Sequence, residues 1–144
     1  REIVSDGILT GWTLDLASGR KLGLPSTGNA ARGTSSPPSP SSWNIELTQG
    51  DRSRADMLRD MGTGILVTSM IGSTINPTTG DYSRGATGFW VENGIIQYPV
   101  HEVTIAGNLR DMFSGIVAIG AEKDVRGSVQ TGSILIDQMK IAGS

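Results

Sequence analysis

The chain has 144 residues, 12 Lys and Arg against 14 Asp and Glu for a net charge of −2, one His, no Cys and 20 Gly. That length suits one domain with its own core, and the absence of thiols excludes disulfides and thiolate zinc sites and suits a cytoplasmic protein. The near-balanced charge gives no electrostatic grip on a phosphate backbone, and no apolar run reaches the ~20 residues of a membrane-spanning helix, so neither nucleic acid nor membrane is expected as a partner.

Ile3 and Val4, then Asp6-Gly7, then Ile8 to Leu14 predict a hairpin, because Asp-Gly between apolar β-formers supplies the positive φ angles of a tight turn. Asp15 to Leu22 follows as a short helix stopped by Gly23 and Pro25. Residues 25–42 are rich in Pro, Ser and Gly and nearly bare of large apolar side chains, which predicts a long exposed loop. Trp43 to Leu47 alternates with period two and reads as a strand. Asp51 to Met61 is the clearest helix, with Asp51 or Ser53 as N-cap, Met57, Leu58 and Met61 on one face, and Gly62 as its stop. Gly64 to Ile71 is expected as a buried apolar strand.

Arg84 to Glu92 and Ile95 to Val100 flank Asn93-Gly94, the favoured type I′ turn. Pairing across it places Val91 and Phe89 opposite Ile96 and Tyr98 on the core side, with Trp90, Glu92, Ile95 and Gln97 turned to solvent or a partner. The alternation then slips, since Val103 and Ile105 share a face with His101 and not with Val100, which calls for a bulge near Pro99. Asn108 caps a short helix through Phe113, Ile116 to Ile119 is a short strand, Lys123 to Arg126 a charged loop, and Val129 to Ile141 a closing strand. The elements add up to a mainly β chain of α+β type over 1–144, an antiparallel sheet or partly closed barrel with two or three short helices in a single domain. Because the chain starts at Arg1 and not at a Met, it is expected to be a piece of a longer protein.

Groups able to do chemistry are few. A catalytic zinc needs about three protein ligands, and His101 beside Glu102 has no second His, no Cys and no H-E-x-x-H pattern to join. Ser18-Gly19-Arg20-Lys21 has the S-x-x-K spacing of Ser/Lys hydrolases but lacks their companion motifs and the apolar pocket that would lower the Lys pKa. Gly62-Thr63-Gly64 precedes a strand instead of following one, so it is a helix stop and not a dinucleotide loop. Asp56 and Asp60, among Arg52, Arg54 and Arg59, read as a solvated charged face. Asp81-Tyr82-Ser83-Arg84 brings a charge pair, a ring and a hydroxyl into one turn, either as a binding loop or as an Asp–Arg pair that fixes the turn. With Trp90 and Ile95 on the outward face of the hairpin, Asp81, Tyr82 and Arg84 are the candidates for contact with a peptide or partner.

The run from Gly80 to Val100, Gly-Asp-Tyr-Ser-Arg-Gly-Ala-Thr-Gly-Phe-Trp-Val-Glu-Asn-Gly-Ile-Ile-Gln-Tyr-Pro-Val, resembles the signature of the PmbA/TldD family, also called modulators of DNA gyrase. Arg20-Lys21-Leu22-Gly23 with Ser26 to Asn29, and Ile105 to Met112, are similar to further segments of that family, so the resemblance covers most of the chain and implies the C-terminal domain. For the TldD branch it implies a zinc peptidase with an H-E-x-x-x-H helix in the preceding region and a Cys from the C-terminal part. For the TldE or PmbA branch it implies a non-catalytic subunit of a TldD/TldE heterodimer that trims and degrades unfolded peptides. Arg126 stands where that Cys is expected. An arginine is always charged and only donates, so with no Cys at all the chain looks like the TldE/PmbA branch. The resemblance therefore implies no cofactor here, zinc only on a TldD-type partner, a TldD-like subunit or a second copy as partner, and unfolded peptide as ligand. The alternative is a hydrolase in its own right, acting as a homodimer through a metal site completed in the preceding region.

Overall fold

The computed structural model of the chain describes residues 1–143. In order they form β1 (Val4–Ser5), β2 (Ile8–Leu9), α1 (Leu16–Leu22), β3 (Ala30–Ala31), β4 (Ser39–Pro40), β5 (Ile45–Glu46), α2 (Arg54–Met61), β6 (Gly64–Ile75), β7 (Asp81–Glu92) and β8 (Ile95–Asn108). There follow α3 (Leu109–Ser114), β9 (Ile116–Ile119), β10 (Asp124–Arg126), β11 (Val129–Thr131), β12 (Ile134–Ile136) and β13 (Lys140–Ala142). The chain divides into two compact units, Arg1–Glu46 with Arg126–Gln130, and Leu47–Val125 with the residues from Thr131 onward. The sheets are open and mostly antiparallel, with no closed barrel among the described residues. Among those residues no helix is long and apolar enough to cross a membrane.

In the first unit the expected hairpin is present, and Asp6 (φ 53°) with Gly7 (φ 78°) gives the two positive φ values of a type I′ turn. The buried Asp15 caps α1 by accepting a hydrogen bond from Ser18 N at 2.7 Å, and Gly23 ends it in the left-handed conformation. That amide holds the Asp15 carboxyl below its ordinary range. Gly19 of the S-x-x-K run is buried because a Cβ there would lie 2.8 Å from the Leu24 carbonyl oxygen, so packing of the chain just after the helix accounts for it. Residues 25–42 are mostly exposed, but they carry a short ladder in which Ala30 pairs with Pro40 and Ala31 with Ser39. The strand expected over Trp43 to Leu47 contracts to Ile45–Glu46, paired in parallel with Val129 and Gln130.

The second unit is built on a four-stranded sheet in the order β13-β8-β7-β6. Asn93 (φ 52°) and Gly94 (φ 74°) form the predicted type I′ turn between β7 and β8. The bulge expected near Pro99 sits at His101 and Glu102: Val100 pairs with Gly88 and Val103 with Ala86, so β8 has one residue too many, and Glu102 takes it up at φ 56°. Val100, Val103 and Ile105 thereby reach one face. There Tyr82, Ala86, Val103 and Ile105 form the buried cluster, with Ile65, Val67, Val100, Leu109, Met112 and Met139 packed on it. β6 runs on to Ile75 and is the edge of the sheet, so Met70 and Ile71 are exposed, at 45% and 68%, and the strand is not the buried one its composition predicts.

α2 starts at Ser53, whose side chain accepts from Asp56 N, buries Met57, and stops at Gly62 (φ 66°). Asp60 pairs with Arg52 and Asp56 with Arg59 on its exposed side, as a solvated charged face should. Asn108 caps α3 through Oδ1, which accepts from Arg110 N at 3.0 Å. The C-terminal part corrects two expectations. Lys123 to Arg126 contains strand β10 and is not simply a loop, and Val129 to Ile141 is broken into β11, β12 and β13. A Cβ at Gly132 would lie 2.6 Å from the carbonyl oxygens of Gly120 and Glu122, and Gln138 turns the chain at φ 62°, so neither position continues a strand.

Candidate functional site

Alternation along β7 puts Tyr82, Arg84, Ala86, Gly88 and Trp90 on one face and Asp81, Ser83, Gly85, Thr87, Phe89 and Val91 on the other. Asp81 and Arg84 consequently point to opposite sides of the sheet and form no ion pair. The turn before β7 is held by asparagines: Asn76 Oδ1 accepts from Thr78 N at 2.9 Å and Thr79 N at 3.2 Å, and Asn108 Nδ2 donates to Thr79 O at 3.0 Å. Asp81 joins the same turn, its Oδ2 accepting from Thr79 Oγ1 at 2.7 Å. Of the two readings open for this turn, an Asp–Arg pair is the one the geometry removes.

Tyr82 is buried at 8% exposure, and its hydroxyl donates to Met70 Sδ at 3.2 Å. Arg84 is half-buried opposite Ile105, and its Nε is buried with no hydrogen-bond partner. Trp90 lies between Ile65 and Tyr98 in the register, and its Nε1 donates to Glu92 Oε1 at 2.9 Å. Ile95 pairs with Glu92 and is 65% exposed.

One pairing differs from expectation. Val91 pairs with Ile96 as the turn predicts, but Gln97 is an extra residue, so Tyr98 faces Trp90 and Phe89 faces Pro99. The bulge carries Tyr98 onto the side of Trp90 and Ile95. That side, expected to look outward, is continuous with the buried cluster around Tyr82 and Ala86, and it is exposed at Tyr98 and Ile95 near the hairpin tip and at Met70 and Ile75 along β6. Tyr82, Arg84, Trp90 and Ile95 therefore share one face, joined there by Ile65 and Tyr98, while Asp81 does not belong to it. A bulge at Gln97 leaves no mark in composition, since the residue is neither Gly nor Pro, and so sequence reasoning missed Tyr98.

Other polar groups are structural. Glu122 Oε1 accepts from Arg54 Nη2 at 3.2 Å, from Arg54 Nε at 3.3 Å and from the Ser133 hydroxyl, tying the start of α2 to the start of β12. The Ser133 hydroxyl, then backbone N–H groups and Arg54, hold the Glu122 carboxyl below its ordinary range. So stabilised an anion is a poor base for activating Ser133. His101 is exposed on its bulge, and among the described residues no group of three or more His, Cys, Asp or Glu is placed to hold a metal. A zinc ion, which needs such a donor set, is not served by these residues alone. An open cleft of about 750 Å³ runs beside α3 and is lined by Asn108, Asp111, Met112, Asp137 and Lys140.

A family profile described as the PmbA/TldA metallopeptidase C-terminal domain matches residues 1–143. The chain is 52% identical over 143 residues to the Metalloprotease PmbA of Escherichia coli O157:H7, which covers 99% of this chain and 30% of that protein. It is 49% identical over 146 residues to the Metalloprotease PmbA homolog of Haemophilus influenzae, covering 100% of this chain and again 30% of the relative. The crystal structure of TldE from Thermococcus kodakarensis superposes with a TM-score of 0.87 at 25% identity, over 98% of this chain and 33% of that one. The chain thus spans less than a third of the length of the PmbA proteins it matches. Family profile, identity and shared fold agree, and the chain belongs to the PmbA/TldD metallopeptidase family as its C-terminal domain.

Proposed function

We propose that this domain belongs to the non-catalytic subunit of a TldD/TldE-type metallopeptidase complex, where it offers a surface to an unfolded peptide or to a TldD-type subunit that carries the zinc. The observation that carries the proposal is the donor set: one His, on an exposed bulge, and no Cys. The exposed Tyr98 and Ile95 beside the half-buried Trp90 at the hairpin tip, and the edge position of β6, support a role in holding extended chain, because a free strand edge binds backbone without regard to sequence. The compartment that fits such a protein is the cytoplasm.

A second reading is a peptidase complete in itself, as a homodimer with its metal held by residues outside this domain. It is favoured by the name of the Escherichia coli relative, a metalloprotease. Metal content and peptide cleavage of the purified full-length protein, alone and mixed with a TldD-type subunit, separate the two. Cleavage only in the mixture, with zinc on the other subunit, is the expected result. Stoichiometric zinc and full activity in the isolated protein would overturn the proposal.

A further inference from the structure

Arg84 stands on the inner face of β7, between Tyr82 and Ala86 and opposite Ile105, which are all buried. Its Nε is buried with no partner, and no carboxylate of the described residues forms an ion pair with it. A guanidinium stays charged at every accessible pH, offers five donors and accepts nothing, so an unpaired, desolvated Nε calls for an anion. Tyr82 presents a second under-used donor on the same face, since its hydroxyl proton goes to the thioether of Met70, a weak acceptor. Met70 is the register partner of Ala86, two residues beyond Arg84, while Tyr82 lies two residues before it. The phenol reaching forward and the thioether reaching back therefore meet in the row that Arg84 occupies.

We propose that Arg84, seconded by the Tyr82 hydroxyl, anchors the carboxylate of a bound peptide. A planar fork of N–H donors matches a carboxylate, and a single cation balances its single charge, whereas a phosphate dianion would call for more. The anchor rests on the reading of this domain as a peptide-holding surface, and it adds that the ligand is recognised through a negative charge. The carboxylate comes from the peptide's C-terminus or from an acidic side chain.

The test is calorimetric titration of the full-length protein with acetyl-Ala-Ser-Ala-Ser-Ala as the free acid, the same peptide as the C-terminal amide, and an amide with one Glu in place of Ser, each checked for integrity by mass spectrometry. Wild type should bind a carboxylate-bearing peptide about tenfold more tightly than the plain amide, the scale of a charge-assisted hydrogen bond. A preference for the free acid assigns the C-terminus, and one for the Glu peptide assigns a side chain. Arg84→Gln should erase the preference. Tyr82→Phe, which keeps the ring and the charge, should reduce it severalfold and decides the matter alone if Arg84→Gln does not fold. Amide and acid bound equally by wild type, or a preference that survives both substitutions, overturns the anchor and leaves peptide holding intact. No binding of any peptide removes both.

Discussion

Gly88 and Gly85 lie three residues apart on β7, and the same substitution at each should have opposite effects. A Cβ at Gly88 would fall 2.0 Å from the Leu66 carbonyl oxygen, 2.9 Å from its carbon and 3.0 Å from Val67 Cα. Carbon and oxygen normally approach no closer than ~3.3 Å, so β6 must retreat by about 1 Å beside the Val67–Gly88 pair. The obstacle is backbone inside a ladder and cannot rotate away, which puts the cost at the upper end of overpacking, about 3 kcal/mol, including one weakened ladder hydrogen bond. At Gly85 the Cβ meets Ile71 O at 3.6 Å and Ile71 Cβ at 3.7 Å, ordinary contact. There Gly85→Ala should stabilise by about 0.5 kcal/mol, because the unfolded chain loses freedom. With a urea slope of about 2 kcal/mol/M, the two variants should unfold with midpoints about 1.8 M apart, followed by tryptophan fluorescence and far-UV circular dichroism. Midpoints within about 0.3 M of each other, or Gly85→Ala the weaker of the two, would refute the close approach of β6 to β7 at Leu66.

Val91, at 0% exposure, is the largest fully buried side chain, and Val91→Ala should cost about 2 kcal/mol in urea denaturation, the transfer of two methyl groups plus a small cavity. Ser53→Ala removes the acceptor for Asp56 N at the start of α2 and should cost about 1 kcal/mol, with Ser53→Gly losing less. Glu122 should make stability depend on acidity. Its folded carboxyl titrates below the ordinary glutamate value of 4.5, so its contribution is complete above that value and disappears as the pH falls through the lowered folded one. The gap in denaturation midpoint between wild type and Glu122→Gln should therefore shrink from pH 6 to about pH 3, and a gap independent of pH would show that the carboxylate is not held as described.

Most local structure was legible because it depends on neighbours in the chain. Asp6-Gly7 and Asn93-Gly94 dictate their turns through positive φ, Ser53 and Asn108 cap their helices, and the parity slip after Val100 announced the bulge at His101 and Glu102. What pairs with what at long range was not legible. Ile71 has the composition of a core strand yet lies exposed, since only the sheet order shows β6 to be an edge. Val129 to Ile141 reads as one closing strand yet splits three ways, because carbonyls of Gly120 and Glu122 crowd Gly132 from another part of the chain.

The candidate site divides in the same way. Sequence alone marked Asp81, Tyr82, Arg84, Trp90 and Ile95 by their chemical type, and by its resemblance to a known family it marked the segment that carries them. Only the tertiary structure separated Asp81, turned away into an asparagine-held turn, from Tyr82 and Arg84 on the core face, and brought Tyr98 to Trp90 through an unannounced bulge at Gln97. The reason is physical: which face a strand residue takes depends on the count of residues between pairs on neighbouring strands, and one inserted residue, invisible in composition, reverses it.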